Sequence, residues 1–320
     1  MKKDKVSQFT RTHTTEISSF IALVILCVVL TIITDNFLTS SNIMSVLHQT
    51  SYIAIMAVGV SFLILSGNID LAVTATLALG CSVMGELYAN RGWPAWSAIL
   101  IALIVGVGCG VFSSAFIIKL RLLPFIVTLA MMNVYRGIAS VFTDGYSAQN
   151  MPDLVQWVGK GRLLGIPVPI IVMLLVYVIA WFIQKKTSLG LGLYAIGGNG
   201  KAAELSGIRI EKVRILAYMI NGFLAVLAGM ILAGRMNSTN PAMATGVEMD
   251  CIAAAAIGGT SMAGGEGNIW GTLIGALLMG VVRNGLNQLG ISAFWQQIAL
   301  GAVVLLAVTL DSLRRIGKRE

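Results

Sequence analysis

Only a few ionisable side chains lie inside or beside the long apolar runs of this sequence. Asp70 and Asp250 each stand just before an apolar run, whereas Arg136 lies within the run Pro124–Phe142. Burying a charge in apolar surroundings is costly, so a charged residue at such a position is a functional candidate. We therefore interpret Asp70, Arg136 and Asp250 as candidate pathway or gating residues.

Each of these side chains also has a structural interpretation. Asp70 has the position of an N-cap, where its carboxylate would accept hydrogen bonds from free N–H groups of the following helix. Arg136 needs a partner, either an acidic side chain or the carbonyl groups of a broken helix. Thr245 and Glu248 have the spacing of a capping box, so Glu248 is expected to cap a helix. Asp250 is then free to face a pathway at its outer mouth.

A glycine-rich segment follows the apolar run that begins at Cys251. It contains two glycine pairs, Gly258–Gly259 and Gly264–Gly265. Glycines allow helices to approach closely in lipid, but they also form irregular turns that line cavities and absorb large dihedral changes. The two interpretations are compatible, and we expect Gly258, Gly259, Gly264 and Gly265 to take part in gating.

Sites for hydrolysis, metal binding or nucleotide binding are not indicated. The two histidines, His13 and His48, cannot form a histidine metal site by themselves, and the H-E-x-x-H and G-x-S-x-G motifs are missing. A partial P-loop ends at Lys201, but Ala195 occupies the position of its first Gly and Ala202 that of its Ser or Thr. We therefore expect no catalytic residue, no metal and no cofactor in this chain.

The composition identifies the kind of element that must position these residues. Of the 320 residues, 57% are hydrophobic and only 11% are charged, whereas soluble domains are about 25% charged. These figures exclude soluble and disordered proteins and indicate an all-α polytopic membrane protein. A spanning helix needs about 20 apolar residues. The sequence contains ten candidate runs: Ile17–Thr34, Ile43–Ser66, Leu71–Ala89, Ala95–Ile118, Pro124–Phe142, Ile166–Ile183, Ile215–Gly234, Cys251–Ala263, Ile269–Leu289 and Ala293–Leu310.

Two of these runs are unusual. The first follows basic residues, as in a signal peptide, but no cleavage site follows it, so we expect an uncleaved anchor. The eighth, Cys251–Ala263, is too short to cross a bilayer. It either extends into its flanks or is a broken helix that lines a cavity.

The distribution of basic residues predicts the orientation of the runs. With both termini in the cytoplasm, sixteen of the 22 Lys and Arg residues fall on the cytoplasmic side, five fall outside, and Arg136 lies within a run. This asymmetry follows the positive-inside rule. Most of the net charge of +8 is therefore a topology signal, and we expect no nucleic-acid partner.

The longest cytoplasmic connection covers residues 185–214 and contains a predicted surface helix. Asn199 can cap the N-terminus of this helix, and Gly207 can end it in the left-handed conformation. Its small and apolar side chains are Ala202, Ala203, Leu205 and Ser206. Such a helix is either a docking element for a cytoplasmic partner or part of an ordinary solvated loop.

Three segments carry a resemblance to a known family: Leu65–Val73, Gly197–Asn199 with Ala202–Ile208, and Gly246–Gly275. From Asn36 to Asp311 the chain resembles the permease subunits of ribose-type ABC sugar importers. The first segment usually reads Gly-Gly-Ile-Asp-Leu-Ser in that family, whereas here Asn68 replaces the second Gly and Ala72 replaces the Ser. The resemblance therefore indicates the family but not the particular sugar.

The resemblance implies one transmembrane permease domain over residues 1–320, with ten spans, in a bacterial plasma membrane. It implies a homodimer with a path near its axis, cytoplasmic ATPase subunits, and a sugar-binding protein that contacts Asp144–Leu164 and Arg235–Asp250 outside. ATP would be used by the partner subunit, so this chain would not be an enzyme. The surface helix would be the coupling helix, a role that we assign to Asn199, Ala202, Ala203, Leu205, Ser206 and Gly207.

Other substrates remain open within the same superfamily, namely branched-chain amino acids, nucleosides or a sugar-like signal. An ion-coupled secondary transporter would predict several paired acidic residues in mid-span, and this sequence has only isolated ones. A membrane enzyme would require a nucleophile with a matching base, which the sequence does not indicate. We therefore favour import of a ribose-like pentose or a related monosaccharide.

Overall fold

The computed structural model describes residues 14–316, most of which are helical. The helices are α1 (Thr14–Ile33), α2 (Ser40–Leu65), α3 (Val73–Gly85), α4 (Ala95–Lys119), α5 (Pro124–Phe142), α6 (Asp153–Lys160), α7 (Val168–Lys186), α8 (Ser188–Leu205), α9 (Ile210–Met236), α10 (Val247–Ile257), α11 (Ile269–Gln288) and α12 (Ala293–Ile316). The strands are β1 (Ala148–Gln149), β2 (Arg162–Leu163), β3 (Ile166–Pro167) and β4 (Ser238–Thr239).

Six helices are long and apolar enough to cross a membrane, judged by length and composition: α2, α4, α5, α7, α9 and α11. Helices α1 and α12 contain the shorter apolar stretches Ile17–Ile33 and Ala293–Leu306. The prediction of a helical polytopic membrane protein is confirmed at this level. Several basic residues that support the predicted orientation lie outside the described residues: Lys2, Lys3, Lys5, Arg11, Lys318 and Arg319.

Helices α2 and α9 form the centre of the molecule. Helix α9 contacts α2, α3, α4 and α6, whereas α2 also contacts α7, α10 and α11. Gly106 of α4 and Gly222 of α9 lie so close that a Cβ on either residue would overlap with the backbone of the other. Glycines therefore bring these two helices into direct backbone contact, as small residues do in lipid.

The third and eighth apolar runs form short helices. Helix α3 has 13 residues, all of them buried, and continues into a π-helical turn, Glu86–Asn90. Helix α10 has 11 residues and rises about 16 Å, roughly half of the hydrocarbon core. It begins four residues before the predicted run and ends at Ile257. The run thus extends into its N-terminal flank but stops before Gly258, where left-handed glycines follow.

The predicted outer segments are tied together by two short ladders and several side chains. Strand β1 pairs with β4, and β2 pairs with β3, both antiparallel. Asn237 ends α9 in a left-handed conformation, and its Oδ1 accepts a hydrogen bond from the Met151 N–H at 3.0 Å. His48 of α2 lies 2.8 Å from the carbonyl oxygen of Gly159 in α6. Residues 148–167 and the end of α9 therefore form one connected surface.

Candidate functional site

Asp70 lies in the extended segment between α2 and α3 and is only 5% exposed. Its Oδ1 accepts a hydrogen bond from the Ala72 N–H at 2.7 Å, and its Oδ2 accepts one from Asn221 Nδ2 at 2.6 Å. The N-cap of α3 is Ala72, which provides no side-chain cap. The N-cap interpretation was therefore wrong by two residues: the carboxylate stabilises the turn before the helix and links this turn to α9.

Arg136 lies on α5 and is held mainly by backbone carbonyl groups. Its Nη1 donates to the carbonyl oxygens of Pro241 and Met243 at 3.0 and 3.4 Å. Its Nη2 donates to Thr74 Oγ1 at 3.2 Å. These carbonyl groups belong to the loop before α10 rather than to a broken helix, and the acidic partner that the sequence interpretation also offered is reached through Thr74.

Thr74 connects Arg136 to a buried carboxylate. Its hydroxyl donates to Glu248 Oε2 at 2.6 Å while it accepts from Arg136. The Glu248 carboxylate is close enough to interact electrostatically with the guanidinium. Helices α3, α5 and α10 are therefore joined by one polar chain, Arg136–Thr74–Glu248, near the N-termini of both short helices.

The predicted capping box is only half formed. The N-cap of α10 is Gly246, with φ of 86°, and it has no side-chain cap. Glu248 Oε2 does accept a hydrogen bond from the Gly246 N–H at 3.1 Å, as in a capping box. The Thr245 hydroxyl instead donates to the carbonyl oxygen of Ala242 at 2.6 Å. The left-handed glycine moves the helix start by one residue, so Thr245 cannot cap it.

Asp250 is 3% exposed and forms an ion pair with Arg283 of α11. The pair borders a cavity of about 530 Å³ between α10, α11 and α12, which Gln296, Gln297 and Leu300 also line. The sequence interpretation named no partner for Asp250 and left it free to face a pathway at the outer mouth. An arginine within the apolar run Ile269–Leu289 was a signal that could have identified this partner.

The glycine-rich segment after α10 lies against the turn that ends α2. Gly259, Gly264 and Gly265 have positive φ angles of 91°, 88° and 77°. The Gly265 N–H donates to the carbonyl oxygen of Leu65 at 2.9 Å. Gly258 packs on the backbone of Gly271 in α11. The segment therefore combines close helix packing with an irregular turn.

The same turn contacts the part of α8 that precedes the predicted coupling helix. A Cβ on Gly197 would overlap with the Leu65 carbonyl oxygen and the Gly265 nitrogen. The Tyr194 hydroxyl of α8 also donates to the carbonyl oxygen of Gly267 at 2.5 Å. We call the backbone contact of Gly197, Leu65 and Gly265 the inner junction. It connects the loop 185–214 directly to the ends of α2 and α10.

Helix α8 is interrupted at Asn199, whose φ and ψ of −157° and 99° are not helical. Asn199 Oδ1 accepts a hydrogen bond from the Ala202 N–H at 3.1 Å, so it caps a second short helix. Gly207, with φ of 81°, follows the end of this helix at Ser206. Leu205 is 90% exposed, whereas Ala203 is 4% exposed and faces the protein.

The exposed residues of this second helix and its end include Ala202, Leu205, Ser206 and Gly207, together with the charged Lys201 and Glu204. Within residues 14–316, no three His, Cys, Asp or Glu side chains are grouped so that they could hold a metal ion. The four cysteines, Cys27, Cys81, Cys109 and Cys251, are unpaired. The polar chemistry in the described part of the molecule is therefore concentrated in the networks around Asp70, Arg136 and Asp250.

Comparison with known proteins assigns the chain to a family. Residues 42–308 match the model of the family described as branched-chain amino acid transport system / permease component. The chain is 42% identical over 311 residues to the ribose import permease protein RbsC of Escherichia coli (strain K12), covering 96% of this chain and 97% of the relative. It is also 42% identical over 298 residues to RbsC of Bacillus subtilis (strain 168), covering 92% of each.

A relative that is named for a different sugar is the D-allose transport system permease protein AlsC of Escherichia coli (strain K12). It is 35% identical over 295 residues, which cover 92% of this chain and 90% of the relative. No solved structure matches the chain. The family match covers most of the chain, and so do these identities. The chain therefore belongs to the family described as branched-chain amino acid transport system / permease component.

Proposed function

We propose that this protein is the membrane permease subunit of an ABC importer for a monosaccharide, a ribose-like pentose or a related sugar. The observation that carries the proposal is the 42% identity to ribose import permeases over 96% of the chain. The similarity to permease proteins of the D-allose and xylose transport systems supports the same substrate class. The protein then resides in the bacterial plasma membrane, as the several apolar helices require.

The coupling helix in the loop 185–214 docks on a cytoplasmic ATPase subunit. An almost fully exposed Leu205 at the end of a capped surface helix suits insertion into an apolar cleft of a partner. ATP is bound and hydrolysed by that partner, and this chain needs no cofactor of its own. Closure of the ATPase would displace the coupling helix, and the inner junction would pass that movement to α2 and α10.

The permease is a homodimer whose subunits have ten spans and cytoplasmic termini. The order of helix lengths supports two related halves: α2, α3, α4 and α5 have 26, 13, 25 and 19 residues, and α9, α10, α11 and α12 have 27, 11, 20 and 24. Each half has a short second helix. The whole chain forms one permease domain, and the outer segments Asp144–Leu164 and Arg235–Asp250 contact a sugar-binding protein.

The translocation path passes the polar networks. Asp70, Arg136 and Asp250 stabilise the ends of the short helices, where irregular backbone occurs at membrane depth. The glycines Gly258, Gly259, Gly264 and Gly265 permit the change between inward- and outward-facing states. The path should bind the sugar weakly, since a tightly bound solute cannot leave.

Reconstitution in liposomes tests this proposal. The protein is combined with the ATPase and binding protein encoded beside it, and uptake of radiolabelled ribose, allose, xylose and leucine is compared. We expect ATP-dependent uptake of a sugar and none of leucine. Uptake without the ATPase, driven by an ion gradient, would contradict the proposal, and leucine uptake would favour the amino-acid alternative that the family description names.

A further inference from the structure

A polar cavity of about 420 Å³ opens beside Arg136. It lies within the size range of small-molecule sites, roughly 300–1,000 Å³. Its polar lining comes from α5 and from the two outer loops: Arg136, Ser140, Ser147, Asn240 and Thr245. Asn133 and Ser140 on the same helix are exposed as well. A lipid-facing surface would not carry this group of polar side chains, so the cavity belongs to a hydrated region.

Arg136 has hydrogen-bond donors to spare in this cavity. A guanidinium has five N–H groups, and those of Arg136 that have partners reach Pro241, Met243 and Thr74. Within residues 14–316, Nε and the second N–H of Nη2 have no protein partner. The side chain is half-buried and lines the cavity, so these two donors are available to a molecule that binds there.

The charge of Arg136 is already balanced. Glu248 reaches it through the Thr74 hydroxyl, and both interactions lie behind the cavity wall. The cavity lining itself contains no carboxylate. The site therefore does not need a second anion. A neutral molecule with several hydroxyl groups would complement the free N–H donors and the hydroxyl groups of the lining.

We propose that this cavity is a transient binding site for a neutral polyol, in which the spare N–H donors of Arg136 contact the sugar hydroxyl groups. The inference rests on the proposed function and adds a location and a ligand-contacting residue to it. Binding is weak, in the millimolar range, because the lining has no aromatic plane and much of the guanidinium is committed to the protein. Weak binding suits a site that releases its ligand in each cycle.

Cysteine protection tests the site directly. The full-length chain carrying Ser140→Cys and Cys27→Ala is placed in nanodiscs and alkylated with a charged maleimide, because the remaining cysteines are buried. A millimolar site is largely occupied at about 50 mM ribose, so alkylation should slow by about threefold or more. Leu164→Cys, at a residue that is 97% exposed on the β2–β3 turn, is the matched control and should be unaffected.

A second variant separates ligand contact from general shielding. Adding Arg136→Gln to the Ser140→Cys chain should abolish protection by ribose, while leucine at the same concentration should protect neither chain. Equal alkylation with and without ribose, or protection that persists in Arg136→Gln, would overturn the proposal. The assay contains no ATPase and no binding protein, so its failure is distinguishable from a failure of sugar uptake.

Discussion

Replacement of Gly197 by Ala is the sharpest test of the inner junction. The added Cβ would overlap with the Leu65 carbonyl oxygen and the Gly265 nitrogen, which are joined by a hydrogen bond of 2.9 Å. Loss of a buried hydrogen bond costs about 1–3 kcal/mol, and overpacking adds about 1–3 kcal/mol. We expect a total destabilisation of roughly 2–6 kcal/mol, because backbone rather than side-chain atoms must move.

The adjacent Gly198 provides a matched control, because a Cβ there meets nothing within 4 Å. Thermal unfolding followed by tryptophan fluorescence measures both variants, and at about 2 °C per kcal/mol the Gly197→Ala midpoint should fall by about 4–12 °C. Gly198→Ala should stay within about 1 °C of the parent. Transport per ATP hydrolysed should also fall in Gly197→Ala alone. Equal midpoints and equal transport in the two variants would refute the junction.

The remaining predictions concern docking, charge pairing and helix packing. Leu205→Arg should abolish ATPase-dependent transport and pull-down of the ATPase, while the amount of the protein in the membrane stays normal; unimpaired transport would contradict the docking role. Arg283→Gln should lower the free energy of unfolding by about 3–5 kcal/mol, because it leaves the buried Asp250 unpaired. The double variant with Asp250→Asn should regain part of the lost melting temperature. Gly106→Ala should destabilise the fold by about 1–3 kcal/mol, since Cβ would meet the Gly222 carbonyl. Gly108→Ala, where nothing lies within 4 Å, should be neutral, and equal effects would exclude the close crossing.

Features that depend on neighbouring residues were predicted correctly. Asn199 and Gly207 bracket a short helix because an N-cap side chain and a left-handed glycine act within a single turn of backbone. The apolar runs became helices for a similar reason, since the helix is the only spanning structure that satisfies its own backbone. Interactions between residues that are close in sequence can therefore be predicted from the sequence alone.

Pairings across long separations could not be predicted in the same way. Arg136 binds carbonyl groups 105 and 107 residues away, and any irregular loop could have supplied them. Asp70 was expected to cap α3, but Asn221 on α9 draws one carboxylate oxygen away from the helix axis. The spacing of Thr245 and Glu248 suggested a full capping box, and the left-handed Gly246 between them shifted the helix start. The partners of Arg136 and Asp70 come from distant segments, whereas the capping box is altered by the neighbouring Gly246.

The backbone contact between Gly106 and Gly222 has a mechanical consequence. Two helices that touch through their backbones cannot slide or roll against each other without separating, since no side chain is available to repack. We expect α4 and α9 to move as one rigid body throughout transport. Displacement must then be accommodated by segments outside α4 and α9, such as those that contain the left-handed Gly67, Gly264 and Gly265.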